Sequence, residues 1–138
     1  MFRLSKNKMT ELNPREINTT ALAFIGDAVY EIYARKYVME KSGSQDADFL
    51  HKDAVRYVCA AGQAKALKSL MKDFLTEEEI KLSKRARNRR FTSKSRSADA
   101  VTYKLATAFE ALMGFLYLDG QKDRLEEIAM EAIRRTEE

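Results

Sequence analysis

Two acids stand out because of what surrounds them. The stretch LATAFEALMGFLYL, residues 105–118, is apolar apart from Thr107 and one carboxylate, Glu110. The stretch ALAFIGDAVY, residues 21–30, is apolar apart from Asp27. A lone carboxylate among apolar side chains is costly unless something pairs with it. Two such carboxylates facing each other repel unless a proton or a cation lies between them. Oxygen ligation by few carboxylates, completed by water and phosphate, is typical of Mg²⁺. A Mg²⁺ held in this way activates water and polarises a phosphoryl oxygen. The bland alternatives are an ion pair with a nearby cation, Arg35 or Lys104, or a position at the edge of an apolar stripe.

The elements that must position these acids are helices. On one helix, helical spacing puts Leu22, Ile25, Val29 and Ile32 on one stripe and Thr20, Phe24, Asp27 and Glu31 on the next. On a later helix Tyr103, Thr107, Glu110 and Gly114 form the equivalent stripe. Gly26 adjoins Asp27, and Gly114 lies one turn after Glu110. A mid-helix glycine costs about 1 kcal/mol relative to alanine, and close approach of two helices is a reason to keep it. A crossing at these glycines brings Asp27 and Glu110 face to face. Glu31, four residues after Asp27, is a candidate auxiliary ligand.

The chain has 138 residues, 45% of them apolar, enough for one compact domain with a real core. One Pro and five Gly speak against a turn-rich β-sandwich, and the composition favours an all-α fold. Residues 1–13 read as a flexible basic tail, and residues 14–138 as the single domain. NPREIN offers Asn13 as a cap, Pro14 for a first helical position and Glu16 to close a capping box. A first long helix is expected from about Asn18 to Lys41. SGSQD breaks it, and a second runs from about Asp48 to Lys72, with Phe49, Val55, Val58, Ala66, Leu67 and Leu70 inward. TEEE, residues 76–79, opens a third with a capping box. Ser97 caps the helix that carries Glu110, and the Asp-Gly pair 119–120 stops it. A last amphipathic helix spans about Lys122 to Glu137, with Leu125, Ile128, Ala129 and Ile133 on one face. Cys59 and most aromatic residues are expected in the core.

The net charge of +4 hides an uneven distribution. Of the 25 Lys and Arg, eight lie between Ile80 and Ala98 with no acid among them: Lys81, Lys84, Arg85, Arg87, Arg89, Arg90, Lys94 and Arg96. The rest of the chain holds 17 cations against 21 acids. One basic segment on a slightly acidic body points to a polyanionic partner. A single cysteine excludes an intrachain disulfide and fits a reducing compartment. One Cys and one His exclude a structural zinc site. The first residues lack the apolar core of a signal peptide, and no apolar run reaches the roughly 20 residues that span a bilayer. A soluble, cytoplasmic protein without a membrane partner is expected.

The two acidic stretches together resemble the ribonuclease III family. LAFIGDAVYE, residues 22–31, is similar to the family signature, and ATAFEALMGFLYLDG, residues 106–120, to its second acidic segment. GDAVYE, RYVCAAGQA (56–64), the basic loop with its Arg-Asn pair and ATAFEALMG resemble more closely the mini-ribonuclease III subgroup, which has the nuclease domain but no appended double-stranded-RNA-binding domain. The likeness runs from about residue 18 to 135. It implies the family's helical endonuclease fold as a homodimer, with Asp27 and Glu110 as the essential catalytic and metal-ligating acids. It implies that Phe24 packs across the dimer interface and that Mg²⁺ is the cofactor. The implied reaction is endonucleolytic cleavage of double-stranded RNA, leaving 5′-phosphate and 3′-hydroxyl ends, in maturation of precursor 23S ribosomal RNA. Lys84, Arg85, Arg87, Arg89, Arg90, Lys94 and Arg96 are the expected RNA-binding cations. A ribosomal protein or pre-ribosomal particle is a further candidate partner. Two departures stand out. Ala23 and Thr107 occupy positions where full-length members carry two further acids, a reduction that the subgroup shares. Thr107 or water is left to fill the vacated place. The alternative reading of that loss is a weak or inactive RNA-binding, ribosome-associated scaffold.

Overall fold

The computed structural model describes residues 12–89 and 98–138, so the tail proposed for residues 1–13 and the Ser97 cap fall almost wholly outside the described residues. The described residues form six α-helices and no strand. They are α1 (Thr19–Ser42), α2 (Ala47–Val58), α3 (Ala60–Asp73), α4 (Glu77–Arg87), α5 (Ala98–Leu118) and α6 (Lys122–Thr136), after one 3₁₀ turn at Pro14–Glu16.

α5 is the central element, because its sequence is apolar on nearly every side and such a helix has to be covered all round. α1, α3, α4 and α6 all pack on it. Phe109, Leu112, Met113 and Leu116 are fully buried there, each contributing about 1.5–3 kcal/mol by burial. Tyr30 of α1 meets Phe109 edge-on with ring centroids 4.6 Å apart.

The local chemistry explains the helix ends. Asn18 caps α1 by accepting the Ala21 N–H at 2.9 Å. The helix ends at Gly43 (φ 66°), in the left-handed conformation that favours glycine. The expected capping box opens α4: the Thr76 hydroxyl accepts from the Glu79 N–H and the Glu79 carboxylate from the Thr76 N–H. α5 stops at the Asp-Gly pair with Gly120 at φ 75°, and Leu125, Ile128, Ala129 and Ile133 of α6 are buried. Asn13 accepts from the Arg15 N–H at 3.1 Å within the 3₁₀ turn, instead of sharing a capping box with Glu16.

Four expectations fail. The helix expected over 48–72 is two helices, broken at Cys59, whose ψ of 160° leaves the helical region. The Cys59 sulfur accepts the Gly62 N–H at 3.4 Å and so caps α3, which keeps the residue half-exposed and out of the core. A Cβ on Gly62 would overlap the carbonyl oxygen of Arg56, so the tight turn needs a glycine. α2 turns Ala54 and Tyr57 inward, which leaves Phe49 and Val55 exposed. On α1 the buried stripe advances by four, through Leu22, Gly26, Tyr30, Ala34 and Val38, which leaves Ile32 on the surface.

Candidate active site

The site is built at the crossing of α1 and α5. A Cβ on Gly26 would overlap the carbonyl oxygen of Glu110 and lie 2.8 Å from the Gly114 nitrogen. A Cβ on Gly114 would overlap the Leu22 carbonyl oxygen and lie 2.9 Å from Ile25 Cγ2. The two backbones therefore touch, and only glycine fits at either position. Position 26 meets 110 while 22 meets 114, so the helices run antiparallel. The mid-helix glycines are the cause of the closest helix approach, as their spacing suggests.

Asp27 and Glu110 meet beside this crossing. Asp27 is on the exposed side and Glu110 is half-buried. Their carboxyl groups lie within hydrogen-bonding reach of each other. Burial first, and then the neighbouring Asp27, push the Glu110 carboxyl up to about 8, while the Gln63 side chain pulls it the other way. At neutral pH the Glu110 carboxyl accordingly keeps its proton, as burial beside a second acid dictates.

The sequence motif around Gln63 did not by itself single that residue out for the site. Gln63 is 1% exposed, in the first turn of α3, and its amide Nε2 has no hydrogen-bond partner. It lies within RYVCAAGQA, and a polar residue among three alanines and a glycine was the available signal.

Arg35 does not neutralise Asp27; it pairs with Glu31 at 3.1 Å, one turn further along α1. Glu31 is thus adjacent in sequence order to the site but engaged in an i,i+4 pair at the surface. Thr107, half-buried, donates its hydroxyl to the Tyr103 carbonyl at 2.9 Å, a bond within its own helix. Phe24 is 81% exposed, one turn before Asp27 on the same face of α1.

The cations gather near the start of α1. Lys84 and Arg85 are exposed in the last turn of α4, Arg87 is half-buried with its Nε donating to the Asn88 side chain at 3.1 Å, and Arg89 follows, exposed. Arg90, Lys94 and Arg96 lie outside the described residues. Arg85 and Arg89 share a surface cavity with Asn18 and Thr19, at the start of α1. Thr19 precedes Asp27 by eight residues, roughly 12 Å of helix. The positive end of the α1 dipole adds to this basic corner.

The donor set suits one kind of ion. Among the described residues no group of three or more His, Cys, Asp or Glu side chains could hold a metal. Two adjacent carboxyls, one exposed and one raised by burial and then by its neighbour, fit a hard divalent cation that keeps most of its water. They do not fit zinc or an iron site. No helix among the described residues is long and apolar enough to cross a membrane.

Comparison with known proteins gives consistent results. The Ribonuclease III domain model matches residues 20–121. The chain is 42% identical over 125 residues to Mini-ribonuclease 3 of Enterococcus faecalis, covering 90% of this chain and 94% of that protein. It is 43% identical over 129 residues to Mini-ribonuclease 3 of Brevibacillus brevis, with 94% of each chain covered. A crystal structure of a protein from Fusobacterium nucleatum superposes with a TM-score of 0.73 at 32% identity, over 87% of this chain and 94% of that one.

Proposed function

The chain belongs to the ribonuclease III family and is an endoribonuclease; from that premise we propose that it is a Mg²⁺-dependent homodimer that cleaves double-stranded RNA at Asp27 and Glu110. The observation that carries the reading is the meeting of these two carboxyls at the Gly26–Gly114 crossing, with the Glu110 carboxyl pushed up to about 8. A pair of acids kept together at the expense of their own ionisation makes sense if a cation relieves the repulsion.

Asp27 and Glu110 would hold Mg²⁺, which when bound supplies a nucleophilic hydroxide and neutralises charge on the phosphoryl oxygens. Without it Glu110 retains its proton, and loading the site means giving that proton up. The exposed side of Asp27 leaves room for water and an RNA phosphate. Gly26 and Gly114 keep the two helices, and hence the two carboxyls, together. The expected products carry 5′-phosphate and 3′-hydroxyl ends.

Lys84, Arg85, Arg87 and Arg89, with Arg90, Lys94 and Arg96, neutralise backbone phosphates. A-form RNA is read by shape, phosphates and 2′-hydroxyls, not through its narrow major groove. The exposed Phe24, with Ile32 and Tyr103 also exposed, supports an apolar surface covered by a second copy of the chain. Two such sites, one per strand, would leave a short 3′ overhang. Precursor 23S ribosomal RNA in the cytoplasm is the proposed substrate, with a ribosomal protein or pre-ribosomal particle as a further partner.

The experiment is cleavage of a long duplex RNA with Mg²⁺ and with EDTA. Cleavage into fragments with 5′-phosphates and 3′ overhangs in Mg²⁺ alone is the expected result. Duplex binding with no cleavage under either condition contradicts it. Replacing Arg87, Arg89 and Arg90 together by Ala should weaken binding and flatten the log–log salt slope by about one per lost phosphate contact. An unchanged slope would remove the docking role.

A further inference from the structure

Resting on the cation site just proposed, we propose that Gln63 is its positioning residue: the buried side-chain amide holds the Glu110 carboxylate in the orientation that faces Asp27. Gln63 is 1% exposed and ranks among the largest fully buried side chains of the molecule. Its Nε2 is sealed from solvent without a hydrogen-bond partner of ordinary length. An unpaired buried amide is destabilising, and an apolar side chain of the same size would remove that cost. The acid it acts on is Glu110 of α5, whose ionised form the Gln63 side chain favours.

The backbone is arranged to deliver this side chain. The chain leaves the helical region at Cys59 and restarts as α3, with Gly62 packed on the Arg56 carbonyl and Gln63 directly after it. That break sets the direction of α3 against α5, where Glu110 stands. Glu110 is therefore approached from one side by Asp27 on α1 and from another by Gln63 on α3. An amide N–H that reaches a carboxylate gives it a charge-assisted bond. Partners of this kind, behind a metal-ligating group, fix its orientation and strengthen metal binding.

The test is Mn²⁺ binding to the RNA-free protein by isothermal titration, with thermal unfolding of the metal-free protein alongside. Gln63→Met keeps the length of the side chain and removes the donor. The expected result is a Mn²⁺ dissociation constant raised about tenfold or more, with the metal-free Tm unchanged or higher. A purely structural role for Gln63 gives the reverse, a lower Tm with Mn²⁺ affinity unchanged, and overturns the inference. Should Gln63→Met not fold, Gln63→Asn retains an amide with a shorter reach. Weaker Mn²⁺ binding in that variant supports the inference, and binding equal to that of the parent protein overturns it. Glu110→Gln, titrated in parallel, separates the two layers. If it loses Mn²⁺ binding while Gln63→Met keeps it, only the positioning role falls. If Glu110→Gln binds Mn²⁺ as the parent does, the cation site falls, and the role of Gln63 with it.

Discussion

Glu79 and Glu110 are two glutamates drawn into the same helical core, and their surroundings send their carboxyls in opposite directions. Burial raises Glu79, but Arg124 and the Thr76 N–H outweigh it and hold the carboxyl below its ordinary value. Arg124 binds it with two parallel bonds of 2.9 and 2.8 Å and gives a further N–H to the Phe74 carbonyl. Glu110 is also raised by burial, and its charged neighbour is another acid, so only the Gln63 side chain works against the shift. Glu79 is a completed polar network that ties α6 to the start of α4. Glu110 is left incomplete by the protein's own residues. The difference teaches where to look for function in this fold: at the buried carboxyl that the chain does not satisfy by itself.

The largest effect that can break this comparison is on catalysis. Glu110→Gln or Asp27→Asn should lower duplex cleavage by about 10³-fold or more, corresponding to the several kcal/mol of a lost metal ligand. Duplex binding, measured by gel shift in EDTA, should survive. Glu79→Gln should cleave at the parent rate below its own unfolding temperature. Equal losses at both glutamates would erase the distinction.

Next comes stability. Arg124→Met leaves Glu79 buried and unpaired, which should cost about 3 kcal/mol, or about 10 °C in Tm by calorimetry. Asp27→Asn, which removes the repelling partner of Glu110, should leave the metal-free Tm unchanged or raised. A large fall in Tm for Asp27→Asn would mean that the acid pair is itself structural.

The smallest effect is the pH dependence of the metal-free protein. Unfolded, the Glu110 carboxyl ionises near its ordinary 4.5; folded, it keeps its proton to about 8. Between those values the folded state binds more protons, so this residue's contribution is fully present below about 4.5 and is lost as pH rises toward 8. Glu79 works the other way: its contribution is present above its ordinary value and is lost as pH falls through its lower folded value. Urea titrations from pH 4 to pH 9 should show Glu110→Gln flattening the alkaline decline and Glu79→Gln removing part of the acid one. Coincident curves for the parent and Glu110→Gln would contradict the assignment.

Much of this was legible in the residues. Capping chemistry marked the start of α4, the Asp-Gly pair the end of α5, and periodicity the buried face of α6. Gly26 and Gly114 gave the crossing, because a mid-helix glycine beside a lone acid has few other reasons to be there. What was not legible depended on tertiary context. The α2–α3 break has no Pro and no glycine at the break itself; it rests on a Cys59 cap and on Gly62 packing against a carbonyl two turns away. Ile32 escaped burial because α1 packs along a stripe advancing by four, which depends on the partner helix and not on α1 alone. Gln63 was hidden for the same reason: an amide becomes part of a site only through the carboxylate that the fold brings to it.

The central claim is that the Asp27–Glu110 site exchanges the Glu110 proton for a divalent cation. Proton release on Mg²⁺ binding, measured by titration calorimetry in buffers of different ionisation enthalpy, tests it most directly. The account predicts nearly one proton released per subunit at pH 7, little release above pH 9, and loss of the Mg²⁺-linked release in Glu110→Gln. Mg²⁺ binding that releases no proton at pH 7, or that persists unaltered in Glu110→Gln, would contradict it.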